Sequence, residues 1–191
     1  SKPKEVKLVR EKVKIEDQAA KSKIIEIEQD GKKYKIGVIE IPKFYTDFDA
    51  RRTGEDGKST TKDVKNLIKE LKSQGMDGLI IDLRNNGGGA LNEAVELTGL
   101  FIKDGPVVQV RNSNNIIEVN SDTDPEIYYD GPLAVLINRF SASASEIFSS
   151  AIQDYGRGII IGENSFGKGT VQNLIDLNMI SSNRNDKFGQ V

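Results

Sequence analysis

Six consecutive residues, Gly78-Leu79-Ile80-Ile81-Asp82-Leu83, limit the fold of this chain more tightly than any other stretch. They are apolar and β-branched at successive rather than alternate positions. That is the pattern of a strand covered on both faces, and such strands belong to parallel sheets flanked by helices. Three glycines, Gly87, Gly88 and Gly89, then lead into apolar residues at helical spacing over about 91–102. The same order recurs further on: a buried strand over 133–138, a helix over about 144–155, and a strand over 158–161. Strands alternating with helices give an α/β fold. The 191 residues suffice for one such domain, or for one domain with a piece of a second attached.

The remaining elements are read in the same way. Residues 23–29 and 34–41 form a pair of strands around the turn signal Asp30-Gly31. A polar stretch over 42–62 reads as a surface loop. A helix follows it, with Thr60 or Thr61 as cap, Val64, Leu67, Ile68 and Leu71 at helical spacing, and Gly75 at its end. Strands are expected at 107–111 and 116–119, and the alternation of Val171, Leu174 and Leu177 predicts one more. Ahead of all these, Val6, Leu8, Val13 and Ile15 keep a rough period of two, broken by charges, as in exposed strands.

Composition narrows the chemistry. Charges nearly cancel to a net −2, so no basic field favours nucleic acid or an acidic membrane. There is no cysteine and no histidine. A disulfide framework, a thiol nucleophile, a Ser-His-Asp triad and a His-ligated zinc are therefore all excluded within this segment. Any general base must be Lys, Asp, Glu or Tyr. No apolar run approaches the ~18 residues of a membrane span, and residues 1–15 are too charged for a signal peptide. The abrupt start and the end at Lys187-Phe188-Gly189-Gln190-Val191 read as those of a segment of a longer protein.

Three stretches carry candidate chemistry. In Ser141-Ala142-Ser143-Ala144-Ser145-Glu146, Ser143 and Glu146 have the spacing of a helix capping box. A serine at a strand-to-helix turn is also where hydrolases place a nucleophile, and the two readings are compatible. The segment from Gly162 to Lys168 nearly matches the phosphate-binding G-x-x-x-x-G-K-[ST] pattern. However, Gly169 replaces the magnesium-binding hydroxyl, and the residues beyond it alternate like a strand instead of opening a helix. Lys168 reads either as a surface turn lysine or as a buried amine, which burial would bring toward its neutral, basic form. In Asp82-Leu83-Arg84-Asn85-Asn86-Gly87-Gly88-Gly89 the glycines supply a tight turn, or amides aimed at an anion.

Taken together, these stretches resemble the tail-specific or C-terminal-processing peptidases, serine enzymes with a catalytic Ser-Lys pair. The matching residues are Asp82 to Gly89, Ser141 to Glu146, and Phe166-Gly167-Lys168-Gly169-Thr170-Val171-Gln172, with 25 positions between Ser143 and Lys168. Further likeness in Ile41-Pro42-Lys43-Phe44-Tyr45-Thr46-Asp47-Phe48, Ser121-Asp122-Thr123-Asp124 and Gln153-Asp154-Tyr155-Gly156 favours the periplasmic tail-specific branch.

The resemblance implies an α/β core of the ClpP/crotonase type, built of β-β-α units, with N-terminal strands flanking a PDZ domain. It implies three divisions: 1–22 as the margin of that PDZ domain, 23–180 as the Ser-Lys core, and 181–191 as the start of a C-terminal region. Ser143 is then the nucleophile, Lys168 its base, Gln172 the residue orienting the lysine, and Asp154 an acidic position tied to activity. The oxyanion hole is formed by the amide of Ala144 and that of Gly88 or, preferably, Gly89. Glu146 and Ser165 are supporting residues. The implied reaction is peptide-bond hydrolysis through an acyl-enzyme, with no metal and no organic cofactor. Implied partners are proteins or peptides with apolar C-termini and adaptor or envelope proteins, with no nucleic acid, in the bacterial periplasm or cell envelope. Two alternatives stand beside this reading: an inactive or scaffolding fragment of the same fold, and a phosphate-loop nucleotide-binding protein.

Overall fold

A computed structural model describes residues 18–47, 57–172, 175 and 177. Two strands, β1 (Lys21–Gln29) and β2 (Lys32–Glu40), form the expected antiparallel hairpin. Asp30 and Gly31 both take positive φ, +53° and +73°, as a two-residue hairpin turn requires. Helix α1 (Thr60–Ser73) buries Val64, Ile68 and Leu71. Its cap is Ser59, whose hydroxyl accepts from the Lys62 amide at 3.2 Å. The two threonines expected as caps lie inside the helix and bond elsewhere: Thr60 Oγ1 accepts from the Tyr45 amide, and Thr61 Oγ1 donates to Glu93.

Strand β3 (Gly78–Asp82) follows, then α2 (Leu91–Gly99), the hairpin β4 (Gly105–Arg111) and β5 (Ile117–Asp122), β6 (Leu133–Ile137), α3 (Ala144–Asp154) and β7 (Ile159–Gly162). The main sheet has the order β1-β2-β3-β6-β7, with β2, β3, β6 and β7 mutually parallel, while β4 and β5 pair apart from it. Strand β3, read as covered on both faces, lies at the centre of this sheet. Its cover is less complete than its composition implies. In register, Ile39, Ile81 and Val135 are all fully buried, whereas Ile80 and Ala134 on the opposite face are half-buried and Ile159 is exposed. Among the described residues, one face of the sheet carries the core shared with α1, α2 and α3, and the other is partly open.

The strand read over 5–15 lies outside the described residues. So does Leu174 of the last predicted strand, and Val171 belongs to no strand. Among the described residues, no helix is long and apolar enough to cross a membrane.

Parallel order matters for the site. It brings the carboxyl ends of β3 and β6 to one edge, so the turns that leave them, 83–90 and 138–143, are neighbours. The two turns are tied by a reciprocal pair of side chains. Asn138 Oδ1 accepts from the Asn85 amide at 3.0 Å, and Asn138 Nδ2 donates to Asn85 Oδ1 at 2.9 Å.

Candidate active site

Ser143 caps α3 with φ +56° and ψ −114°, a sparsely populated conformation for a residue bearing a Cβ. Such a conformation persists only where its surroundings hold it. Here they do so through the flanking serines. Ser141 Oγ donates to Leu83 O at 2.8 Å and accepts from the Asn138 amide at 2.9 Å. Ser145 Oγ donates to Asn86 O at 2.9 Å, and the Ala142 amide reaches the same oxygen at 3.0 Å. Both flanking hydroxyls are buried and committed to backbone; the middle serine is half-exposed.

The capping box predicted from Ser143 and Glu146 is present, with the Ser143 amide donating to Glu146 Oε2 at 2.7 Å. Glu146 does more than its spacing indicates. Its Oε1 accepts from Ser165 Oγ at 2.7 Å and the Gly167 amide at 2.6 Å, and its Oε2 accepts from the Lys168 amide at 3.0 Å. Burial works against ionisation, but the bonds from Ser165, Gly167, Ser143 and Lys168 outweigh it and hold the carboxyl below the usual glutamate range. One carboxylate thus clamps the lysine loop onto the serine turn. The Phe166 amide adds a bond to Ser141 O at 3.0 Å.

These contacts also bear on the phosphate-loop reading. The amides of Gly167 and Lys168, which would cradle a phosphate, are taken by Glu146, and no helix follows the loop through residue 172. The context that motif needs is absent.

Lys168 itself is half-exposed, between the surface-turn and buried readings that its sequence allows. Its Nζ donates to Gln172 Oε1 at 3.4 Å, a long bond to an exposed partner. Among the described residues no direct hydrogen bond joins Lys168 Nζ to Ser143 Oγ. Such pairs commonly tighten only when substrate is bound.

The glycine turn abuts the serine turn. Gly88 has φ +98°, and a Cβ placed on it would lie 2.7 Å from Ala142 O, 2.8 Å from Ser143 Cβ and 3.1 Å from the Ala144 nitrogen. The Gly88 amide donates to Asn86 Oδ1 at 2.8 Å. The Ala90 amide donates to Phe44 O at 2.9 Å. Between them, the Gly89 amide has no protein acceptor among the described residues, and neither does that of Ala144 at the first turn of α3.

Asp154 stands apart. It is exposed at the last turn of α3, roughly 16 Å along the helix from Ser143. The structure therefore joins Ser143, Glu146, Ser165, Lys168 and Gln172 with Gly88, Gly89 and Ala144, and leaves Asp154 outside. The residue that sequence reasoning passed over is Asn86, fully buried with its side chain bonded at both ends. An asparagine directly before a glycine run, which favours such local bonds to backbone, was its signal.

The chain is similar to known proteins in both sequence and fold. The model for Peptidase family S41 matches residues 35–186. The chain is 54% identical over 175 residues to the Tail-specific protease of Haemophilus influenzae, covering 92% of this chain and 23% of that protein. It is 36% identical over 143 residues to the Carboxyl-terminal-processing protease of a Picosynechococcus strain, covering 75% of this chain and 31% of that protein. Among solved structures, the photosystem II D1 C-terminal processing protease superposes with a TM-score of 0.67 at 30% identity, covering 84% of this chain and 40% of the other. The chain spans about a quarter to a third of the length of the curated relatives it matches.

Proposed function

Since the chain belongs to peptidase family S41, we propose that it is the catalytic core of a serine endopeptidase that cleaves proteins recognised by their C-terminal tails, using Ser143 as nucleophile and Lys168 as base. The observation that carries this reading is the Glu146 clamp. Four donors from two segments about twenty positions apart converge on one carboxylate, and their effect is to hold a lysine loop beside a strained serine.

In the proposed reaction, neutral Lys168 takes the proton of Ser143 Oγ as that oxygen attacks the peptide carbonyl. The negative charge that develops on the carbonyl oxygen falls to the amides of Gly89 and Ala144, a contribution of about 3–4 kcal/mol per donor in comparable sites. Lys168 then protonates the departing amine. Water enters, gives a proton to Lys168 and attacks the acyl-enzyme; the proton returns to Ser143 as the acid leaves. Gln172 orients the lysine, and Ser165 steadies the loop through Glu146. Asp154 is too far along α3 to touch the reacting atoms. Substrates with apolar C-termini and a periplasmic or envelope location are inferred from the likeness of the sequence to the tail-specific branch.

The test uses the full-length parent protein and a substrate protein ending in an apolar tail. Cleavage by wild type, with at least a 10³-fold loss in Ser143→Ala and in Lys168→Ala, is expected from removal of nucleophile or base. Equal cleavage by all three would overturn the assignment.

A further inference from the structure

Asn86 is fully buried, and each of its polar groups is bonded. Its amide donates to Leu83 O at 3.1 Å, and its carbonyl accepts from the Ala142 amide and Ser145 Oγ. In its side chain, Nδ2 donates to Ile41 O at 2.7 Å and Oδ1 accepts from the Gly88 amide at 2.8 Å. These bonds reach three segments that meet at the site: the residue after β2, the glycine turn and the serine turn.

The glycine turn is thereby fixed one peptide at a time. Oδ1 of Asn86 holds the amide of the peptide joining Gly87 to Gly88. Phe44 holds the next peptide, donating its amide to Gly88 O at 3.0 Å. In a trans peptide the carbonyl and the following N–H point in opposite directions, so anchoring Gly88 O on Phe44 turns the Gly89 N–H away from Phe44. With both peptides anchored, the positive φ of Gly88 is fixed between them.

We propose that Asn86 is a positioning residue for the Ser143 reaction: it takes up the Gly88 amide and seats the glycine turn against the serine turn, so that the Gly89 amide faces the oxyanion together with that of Ala144. This rests on the Ser143 reading above. Asn86 touches no reacting atom; its effect passes through the peptides of Gly88 and Gly89.

The test again uses the full-length parent, with an apolar-tailed peptide as substrate and a peptide boronate of the same sequence as a tetrahedral mimic. For Asn86→Ala, kcat should fall by about 10²–10³-fold, the effect of losing one oxyanion donor, while KM changes less than about threefold. Affinity for the boronate should fall with kcat. An unchanged kcat in the folded variant, or a loss confined to KM, would overturn the proposal.

Should Asn86→Ala fail to fold, Asn86→Asp decides. A neutral carboxylic acid offers the same acceptor to Gly88 and a donor to Ile41, whereas the ionised form faces the Ile41 carbonyl without a proton. The ratio of its kcat to that of wild type should therefore rise as the pH is lowered; a flat ratio overturns the proposal. Cleavage surviving Ser143→Ala would remove the underlying reading. Wild-type kcat in Asn86→Ala, with Ser143→Ala inactive, would remove this inference alone.

Discussion

Glu146 is ionised where partial burial alone would favour the neutral acid, because four donors face its two oxygens. Its folded pKa lies below the unfolded value. The stability it contributes is therefore complete above the ordinary glutamate pKa of ~4.3 and is lost as the pH falls through the lower folded value. Glu146→Gln keeps one acceptor oxygen and puts two donors where Gly167 or Ser143 already donates. We expect a loss of about 1–2 kcal/mol at neutral pH, discounted for partial exposure, and at least a tenfold drop in cleavage. The variant should also lose less stability on acidification than wild type. Urea unfolding near neutrality and at about pH 3, below the ordinary glutamate pKa, checks this; parallel slopes for the two proteins would count against the clamp. At this scale the sequence shows a capping box from spacing alone. It does not show the three bonds from Ser165, Gly167 and Lys168, since nothing local to Glu146 encodes them.

Among elements, turns decide more than helices do. Gly75, just past α1, has φ +77° and open space around it; Gly88 has φ +98° and the serine turn against it. Gly75→Ala should cost only the left-handed backbone conformation, about 1–2 kcal/mol, with cleavage unchanged. Gly88→Ala adds a Cβ within 2.8 Å of Ser143 Cβ and Ala142 O, both parts of a packed turn that cannot yield without moving the nucleophile. A loss of at least about 3 kcal/mol and of nearly all cleavage is expected. Thermal unfolding and a cleavage assay on the two variants compare them directly, and equal effects would deny that the two turns are in contact. The three helices of the described residues were legible from their periodicity, and the β1–β2 hairpin from Asp30-Gly31. The α1 cap, read as Thr60 or Thr61, was misplaced by one or two residues because Ser59, Thr60 and Thr61 are chemically alike. Tertiary partners for the threonines, Tyr45 and Glu93, leave Ser59 as the cap.

At the scale of the whole molecule, one core joins the sheet to the helix that carries Ser143. Phe148, on the inner face of α3, is fully buried and meets Phe101 edge-on with ring centres 5.7 Å apart. Phe148→Ala should cost about 3–5 kcal/mol. Ile117→Ser, on the outlying β4–β5 hairpin and 49% exposed, should stay within about 0.5 kcal/mol. Denaturant midpoints distinguish these outcomes, and a large effect of Ile117→Ser would mean that the hairpin shares the core. What the sequence determined by itself was the kind of each element from β1 to β7, though not the strand expected from Val171, together with three chemically charged turns. Those features depend on neighbours two to four positions apart, which a linear pattern contains. Tertiary structure alone decided that β3 is well covered on one face only, that Lys168 is half-exposed, and that Gly88's amide is taken while Gly89's is not. Each of those depends on competition for hydrogen-bond partners or for buried space between residues distant in sequence. Only packing brings such competitors together.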